Sequence, residues 1–257
     1  MEDKDIRSEE EKIFNEWKKL AEEPERIVVD GIIDIDTWKK QKPGKHILFV
    51  LRDKNGGTRP EYQGDFRKEL AETGSGWRTW NNAARWGQVL LDSKIEYESL
   101  KYLSSGQRGY LLLPFAAMNL MKDYGGNYTN RDDLDKVSES PDICRLLRRQ
   151  IEVYKPDKIV ACGMTSGRHK SSMEILLDIF GKDQKDIQTV PVRQKAYRYF
   201  ILSLDKKEIP VIEFYHPQVT KTSAYGDKRG HALWSEMFED MRWIGKVSTS
   251  VYAEFYP

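Results

Sequence analysis

Three largely apolar segments constrain the fold of this chain more than any other feature. They are HILFVL (46–51), GYLLLPFAAMNLMK (109–122) and KPDKIVACG (155–163). Apolar runs without polar alternation are typical of strands buried on both faces, as in a parallel sheet covered by helices. Patterns that predict such helices occur at 8–21, 77–92, 141–154, 171–181 and 231–241. We therefore predict an α/β fold with three layers, α/β/α, around a central, mainly parallel four-stranded sheet.

Two further segments near the C-terminus predict a closely spaced pair of strands. AYRYFILSL (196–204) and IPVIEFYH (209–216) flank the short polar stretch DKKE, as in a hairpin. At the other end of the chain, Ser8 followed by Glu11 predicts the N-cap of the first helix. Neither an internal repeat nor a low-complexity linker divides the sequence, so we predict a single domain over residues 1–257. Its predicted parts are an N-terminal helical extension (1–44), a core (45–241) and a tail (242–257).

The composition argues against several classes of site. Cys144 and Cys162 are too few for a disulfide framework or an iron–sulfur cluster, and the four histidines lack the spacing of metal ligands. We therefore expect neither a metal nor a cofactor. The sequence has no signal peptide and no apolar run of membrane length, so we expect a cytoplasmic protein without a membrane partner. No feature indicates an obligatory protein partner. The formal net charge of +1 does not by itself indicate nucleic-acid binding.

Polar side chains follow three of the predicted strands. Asp53 comes after the first strand, Asn119 stands at the end of the second, and His216 follows the last. The carboxyl ends of parallel strands are where α/β sheets bind ligands. A carboxylate can orient water, a carboxamide offers a donor beside an acceptor, and an imidazole can donate to an oxyanion on a leaving group.

The motifs around these residues resemble those of the uracil-DNA glycosylase superfamily. FVLRDKNGG stands where that family has its first motif, GQDPY or GxNPG, and AAMNLMK matches the strand with the asparagine that reads a pyrimidine edge. KPDKIVACG resembles the third strand of the family, and YHPQVTKTSAYG resembles its HPSPLSA(Y/H)RG segment. The resemblance spans roughly residues 45–241. The sequence departs from the family pattern at Leu51, Lys54, Asn55 and Gln218, which replace a glycine, a proline, a tyrosine and a serine.

The resemblance implies specific roles for matching residues. Asp53 would orient water and stabilise the sugar cation, although an alternative register gives that position to Asn55. His216 would stabilise the departing base. Base binding would involve Asn119, Asn55 and Phe66, which lies 13 residues after Asp53, the spacing of the family's stacking aromatic. The loop after His216 would contact the DNA backbone through Gln218, Thr220, Lys221, Ser223 and Arg229.

The implied activity is that of a monofunctional DNA glycosylase, acting on single- or double-stranded DNA in which the target base is flipped out. Asn55, Gly56 and Gly57 stand where uracil-selective relatives carry a tyrosine that rejects a group at carbon 5. The hypothesis is therefore a 5-substituted, possibly glucosylated, cytosine or uracil of phage DNA as the target, in antiviral defence, with uracil in base-excision repair as the other candidate. Two alternatives are a non-catalytic nucleic-acid-binding or inhibitory module and an enzyme acting on free nucleosides or nucleotides.

Overall fold

A computed structural model describes residues 3–54, 62, 64–123, 130–164 and 168–246 of the chain. Over these residues seven strands form one mixed sheet in the order β1-β3-β2-β4-β7-β6-β5. The strands are β1 (Gly31–Ile32), β2 (Ile47–Leu51), β3 (Ala116–Asn119), β4 (Lys158–Cys162), β5 (Gln188–Val192), β6 (Lys195–Leu204) and β7 (Lys207–Phe214).

The α/β class is confirmed, but the predicted four-stranded sheet is wrong. Strands β3, β2, β4 and β7 are parallel to one another, whereas the sheet is extended by antiparallel pairing of β1 with β3 on one side and of β6 with β7 and β5 with β6 on the other. The two edge strands have little of the sequence pattern of a strand, because β1 has only two residues and β5 is mostly exposed and contains Pro191. The predicted pair 196–204 and 209–216 forms the antiparallel hairpin of β6 and β7.

Helices cover both faces of this sheet. They are α1 (Asp3–Leu20), α2 (Ile35–Lys39), α3 (Phe66–Thr73), α4 (Arg78–Leu91), α5 (Ser105–Leu112), α6 (Arg131–Lys136), α7 (Pro141–Tyr154), α8 (Ser172–Ile179) and α9 (Gly230–Ile244). Successive side chains of a strand point to opposite faces. Accordingly Phe49 of β2 joins an apolar cluster with α3, α4 and α9, and Val50 joins a second cluster with α1, α7 and α8.

The segment 109–122 is not one bent strand. Its first part belongs to α5, which begins with a capping box formed by Ser104 and Gln107, and only Ala116–Asn119 is a strand. A short apolar run does not distinguish a strand from a buried helix, and Pro114 marks the break between the two. The predicted N-cap at Ser8 is also wrong, because α1 already begins at Asp3.

Candidate functional site

A cavity of about 440 Å³ lies at the carboxyl ends of the parallel strands. Asp53, Asn119 and His216 all line it, as do Phe66 and Gln218. Its volume is in the range of small-molecule sites. The full lining is Leu51, Arg52, Asp53, Lys54, Phe66, Trp77, Thr79, Trp80, Asn119, Arg131, His216, Gln218 and Val219.

The sheet register explains why these side chains meet. Leu51 of β2 pairs with Asn119 of β3, so Asp53, two residues after Leu51, lies at the edge where β3 ends. β7 runs parallel to β4, which is itself parallel to β2, and His216 follows the last residue of β7 by two positions. The strand ends therefore bring together residues that are far apart in the sequence.

Asn119 is held by a buried carboxylate that the sequence analysis missed. Asp30, 1% exposed, accepts hydrogen bonds from the backbone N–H of Asn119 at 2.7 Å and from its Nδ2 at 3.1 Å. The other oxygen of Asp30 accepts from Lys122 Nζ at 2.7 Å and Gln150 Nε2 at 3.0 Å. These bonds fix the orientation of the Asn119 carboxamide. An acid within the apolar segment IVVDGII is the sequence signal that could have indicated such a role.

His216 is held as a neutral imidazole. Burial, together with the positive charges of Arg52 and Arg131, lowers the pKa of His216 from 6.5 to about 4. The backbone N–H of Gln218 donates to Nδ1 of His216 at 3.3 Å. Since Nδ1 accepts this bond, the proton of the neutral ring resides on Nε2, which makes Nε2–H a donor.

Side chains of α4 and α9 hold the loop that carries His216. Asn82, fully buried, donates from Nδ2 to the carbonyl oxygen of Pro217 at 2.6 Å and accepts from Arg85 Nη1 at 2.8 Å. Trp234 of α9 donates to the carbonyl oxygen of Val219 at 3.0 Å. These contacts restrict the positions that the His216 ring can take.

The low pKa of His216 predicts acid sensitivity of the fold. Because the folded pKa, about 4, lies below the unfolded value of 6.5, the unfolded chain binds an extra proton between these two values. The stability is therefore expected to fall as the pH is lowered from 6.5 to 4, by up to about 3 kcal/mol from this group. Urea unfolding of wild type and His216→Gln at several pH values measures it. The variant should show a shallower loss, and an identical pH dependence in both proteins would contradict the assignment.

Three cations also line the cavity, which sequence reasoning did not anticipate. Arg52, Lys54 and Arg131 are among the lining residues, and Lys54 is 6% exposed. Burial lowers the pKa of Lys54, and Glu69, whose carboxylate lies 3.6 Å from Lys54 Nζ, opposes that effect. The basic residues on either side of Asp53 in the stretch RDK are the signal that could have been used.

Aromatic rings form one wall of the cavity. Phe66 is the first residue of α3 and contacts Trp80 edge to face, with 5.3 Å between the ring centroids. Lys54 Nζ lies 4.7 Å from the centroid of Phe66. Trp77, at the N-cap of α4, is 53% exposed, so a large apolar surface stands at the cavity and remains open to solvent.

The predicted DNA-contacting residues are divided between two places. Gln218 lines the cavity, whereas Thr220, Lys221, Ser223 and Arg229 are exposed along the segment that leads from His216 to α9. Asn55 lies outside the described residues. The choice between Asp53 and Asn55 as the water-orienting residue therefore stays a prediction, with Asp53 placed in the cavity wall.

The described part of the chain contains neither a membrane-spanning helix nor a cluster of metal ligands. None of its helices is long and apolar enough to cross a membrane. Over the same residues, no group of three or more His, Cys, Asp or Glu side chains is arranged to hold a metal ion. Comparison with known proteins was equally negative: no family model, no curated protein and no solved structure matches this chain.

Proposed function

We propose that this protein is a monofunctional DNA glycosylase that hydrolyses the N-glycosidic bond of a flipped-out pyrimidine nucleotide. One observation carries the proposal: a carboxylate, an oriented carboxamide and a neutral imidazole line the same cavity at the ends of three parallel strands. These residues are Asp53, Asn119 and His216. This set matches what base release requires at the sugar, at the base edge and at the leaving group.

In the proposed reaction the bond between C1′ of the sugar and the base nitrogen breaks, and its electron pair leaves with the base. The sugar gains positive charge, which the carboxylate of Asp53 stabilises. Water that Asp53 orients forms the new bond to C1′ and loses a proton to that carboxylate, and the released base takes up a proton from solvent. Nε2–H of His216 donates to the base oxygen on which negative charge accumulates. This donor acts most strongly in the transition state, so it accelerates the reaction.

Asn119 and Phe66 would bind the base. The carboxamide of Asn119 can present a donor and an acceptor to a pyrimidine edge, and its bonds to Asp30 hold it in place before the base arrives. The ring of Phe66 offers an apolar surface in the same cavity. The proposal includes no covalent lysine intermediate, because no lysine stands at a position of the resembling motifs that suggests one.

The exposed segment after His216 would contact phosphates of the DNA backbone. Each phosphate contact by a cation makes the negative slope of log K against log salt concentration steeper by about 0.9 for duplex DNA. Lys221→Ala is therefore expected to make this slope shallower by about that amount, and fluorescence anisotropy at several salt concentrations measures it. Lys206→Ala is the matched control, because Lys206 is exposed in the turn before β7, at the opposite end of that strand from His216. Equal slopes for wild type and Lys221→Ala would leave Lys221 without a role in binding.

For the target base we propose a cytosine or uracil that carries a substituent at carbon 5, such as a hydroxymethyl or glucosyl group, as found in phage DNA. The proposal rests on the small or polar residues Asn55, Gly56 and Gly57, which lie outside the described residues. A polar pocket that binds such a group would reject bases that lack it far more strongly than an apolar pocket rejects a methyl group.

Mass spectrometry of released bases tests the function and the substrate together. DNAs containing uracil, cytosine, 5-hydroxymethylcytosine or glucosylated hydroxymethylcytosine would each be incubated with the protein, as duplex and as single strand. We expect release of a 5-substituted base. Efficient release of plain uracil, with the substituted cytosines untouched, would refute the substrate but not the glycosylase activity.

A further inference from the structure

Two arginines that line the cavity have buried N–H groups without a hydrogen-bond partner in the described part of the chain. Arg52 is 8% exposed; its Nη2 donates to the carbonyl oxygen of Met164 at 3.0 Å, but its Nε is buried and makes no hydrogen bond within the described structure. Arg131 has the same property, since its Nη1 is buried and has no hydrogen-bond partner among the described residues. Unsatisfied buried donors cost free energy, so each calls for an explanation.

The position of Arg52 depends on a close approach to the backbone at the end of β4. Gly163 has φ +118°, and a Cβ at this position would lie 2.6 Å from Arg52 Nε. The glycine therefore lets the guanidinium lie against the strand end. The side chain of Arg52 also lines the cavity, so its guanidinium lies between the end of β4 and the cavity.

The two guanidinium groups also act on each other. Burial lowers the pKa of Arg52, and the charge of Arg131 lowers it further, while Asp53 and Asp135 oppose the shift. Asp135 already accepts hydrogen bonds from His169 Nδ1 at 2.8 Å and from the backbone N–H of Lys170 at 3.0 Å. Two neighbouring like charges in a partly desolvated cavity are unfavourable unless an anion joins them.

We propose that Arg52 and Arg131 form a phosphate-binding subsite of the cavity. The inference rests on the proposed function, because the phosphate would belong to the nucleotide whose base reaches Asn119 and His216. The planar fork of a guanidinium matches the oxygens of a phosphate and can donate two parallel hydrogen bonds to it. The phosphate is either a diester of the DNA backbone beside the extruded nucleotide or the monoester of a free nucleotide.

Calorimetric titration with inorganic phosphate tests the subsite directly. Arg131→Gln is expected to weaken phosphate binding at least about tenfold, since it removes charge-assisted hydrogen bonds, and Arg131→Lys should bind with intermediate strength. Arg168→Gln is the matched control: it removes the same charge from a side chain that is 82% exposed and lies 3.6 Å from Asp132, the neighbour of Arg131. Its phosphate affinity should stay within about twofold of wild type. No saturable phosphate binding, or equal weakening in both glutamine variants, would overturn the proposal.

Two further probes distinguish the sources of the phosphate. If Arg131→Gln weakens the binding of 5′-dCMP but not that of deoxycytidine, the subsite binds a phosphate monoester. If it weakens the binding of an oligonucleotide that contains a tetrahydrofuran abasic analogue, the subsite binds a phosphate diester. Either result supports the subsite, and an unchanged affinity for both phosphate-bearing probes contradicts it. None of these measurements requires base release. If no base is released but phosphate binding depends on Arg131, the proposed function is rejected and the subsite is kept. If base is released but phosphate binding does not depend on Arg131, the subsite is rejected and the proposed function is kept.

Discussion

Asp30→Ala is expected to lower the free energy of unfolding by about 3–5 kcal/mol. The substitution leaves the ammonium group of Lys122 without the carboxylate that lies 2.7 Å away, in a place where the side chains of both residues are at most 1% exposed. It also removes the acceptor of the Asn119 backbone N–H and carboxamide. The protein therefore loses stability and the fixed orientation of the Asn119 carboxamide, the group proposed to bind the base, at the same time. Urea unfolding followed by circular dichroism measures the first effect.

A double variant separates the buried charge from the loss of packing. Asp30→Leu combined with Lys122→Met replaces the ion pair by apolar side chains, which is often neutral or stabilising. It should be markedly more stable than Asp30→Ala, although the carboxamide of Asn119 still lacks its acceptor. If Asp30→Ala costs less than about 1 kcal/mol, the buried ion pair does not have the role assigned to it.

His216→Ala is expected to slow base release about 10²–10³-fold, the cost of removing one preorganised donor to a developing negative charge. The donor is Nε2–H of a neutral ring, since burial lowers the pKa of His216 to about 4 and Gln218 donates to Nδ1. Single-turnover base release at saturating enzyme measures the chemical step without the contribution of DNA binding.

His216→Gln is the matched variant, because its carboxamide can still donate a hydrogen bond. It should retain more activity than His216→Ala while binding DNA with similar affinity. Equal rates for wild type and His216→Ala under single-turnover conditions would remove His216 from the mechanism. A rate lost only through weaker DNA binding would place this residue in binding instead of catalysis.

The central strands of the fold could be predicted because their signal is local. The runs ILFVL and IVAC are apolar throughout; they form β2 and all of β4 except Lys158, and they are buried on both faces. The segment GYLLLPFAAMNLMK is similarly apolar, but a helix that begins at the capping box of Ser104 continues through Leu112 and includes the start of this segment. Composition cannot separate these outcomes when the apolar run is short. The edge strand β1 has two residues and therefore no period to read.

Some residues of the candidate site could likewise be predicted from the sequence, and others could not. Asp53, Asn119 and His216 could be predicted to lie close together because each stands at or just after the end of a recognisable strand, and all three line the same cavity. Asp30 was missed because its contact with Asn119 spans 89 residues of sequence and depends on the pairing of β1 with β3. Arg131 was missed for a similar reason, since a short polar helix gives no sign that its first residue lines a cavity.

The most direct test of the glycosylase proposal compares abasic-site formation by wild type and Asp53→Ala on DNA that contains a 5-substituted cytosine. Alkali cleaves the strand at each abasic site, and mass spectrometry identifies the free base. Asp142→Ala is the control, since that carboxylate is 63% exposed at the start of α7, away from the cavity. We predict free base and alkali-labile sites with wild type and Asp142→Ala, strands that stay intact without alkali, and a rate about 10²–10⁴-fold lower with Asp53→Ala. Equal yields from wild type and Asp53→Ala, or no free base from any DNA, would contradict the account.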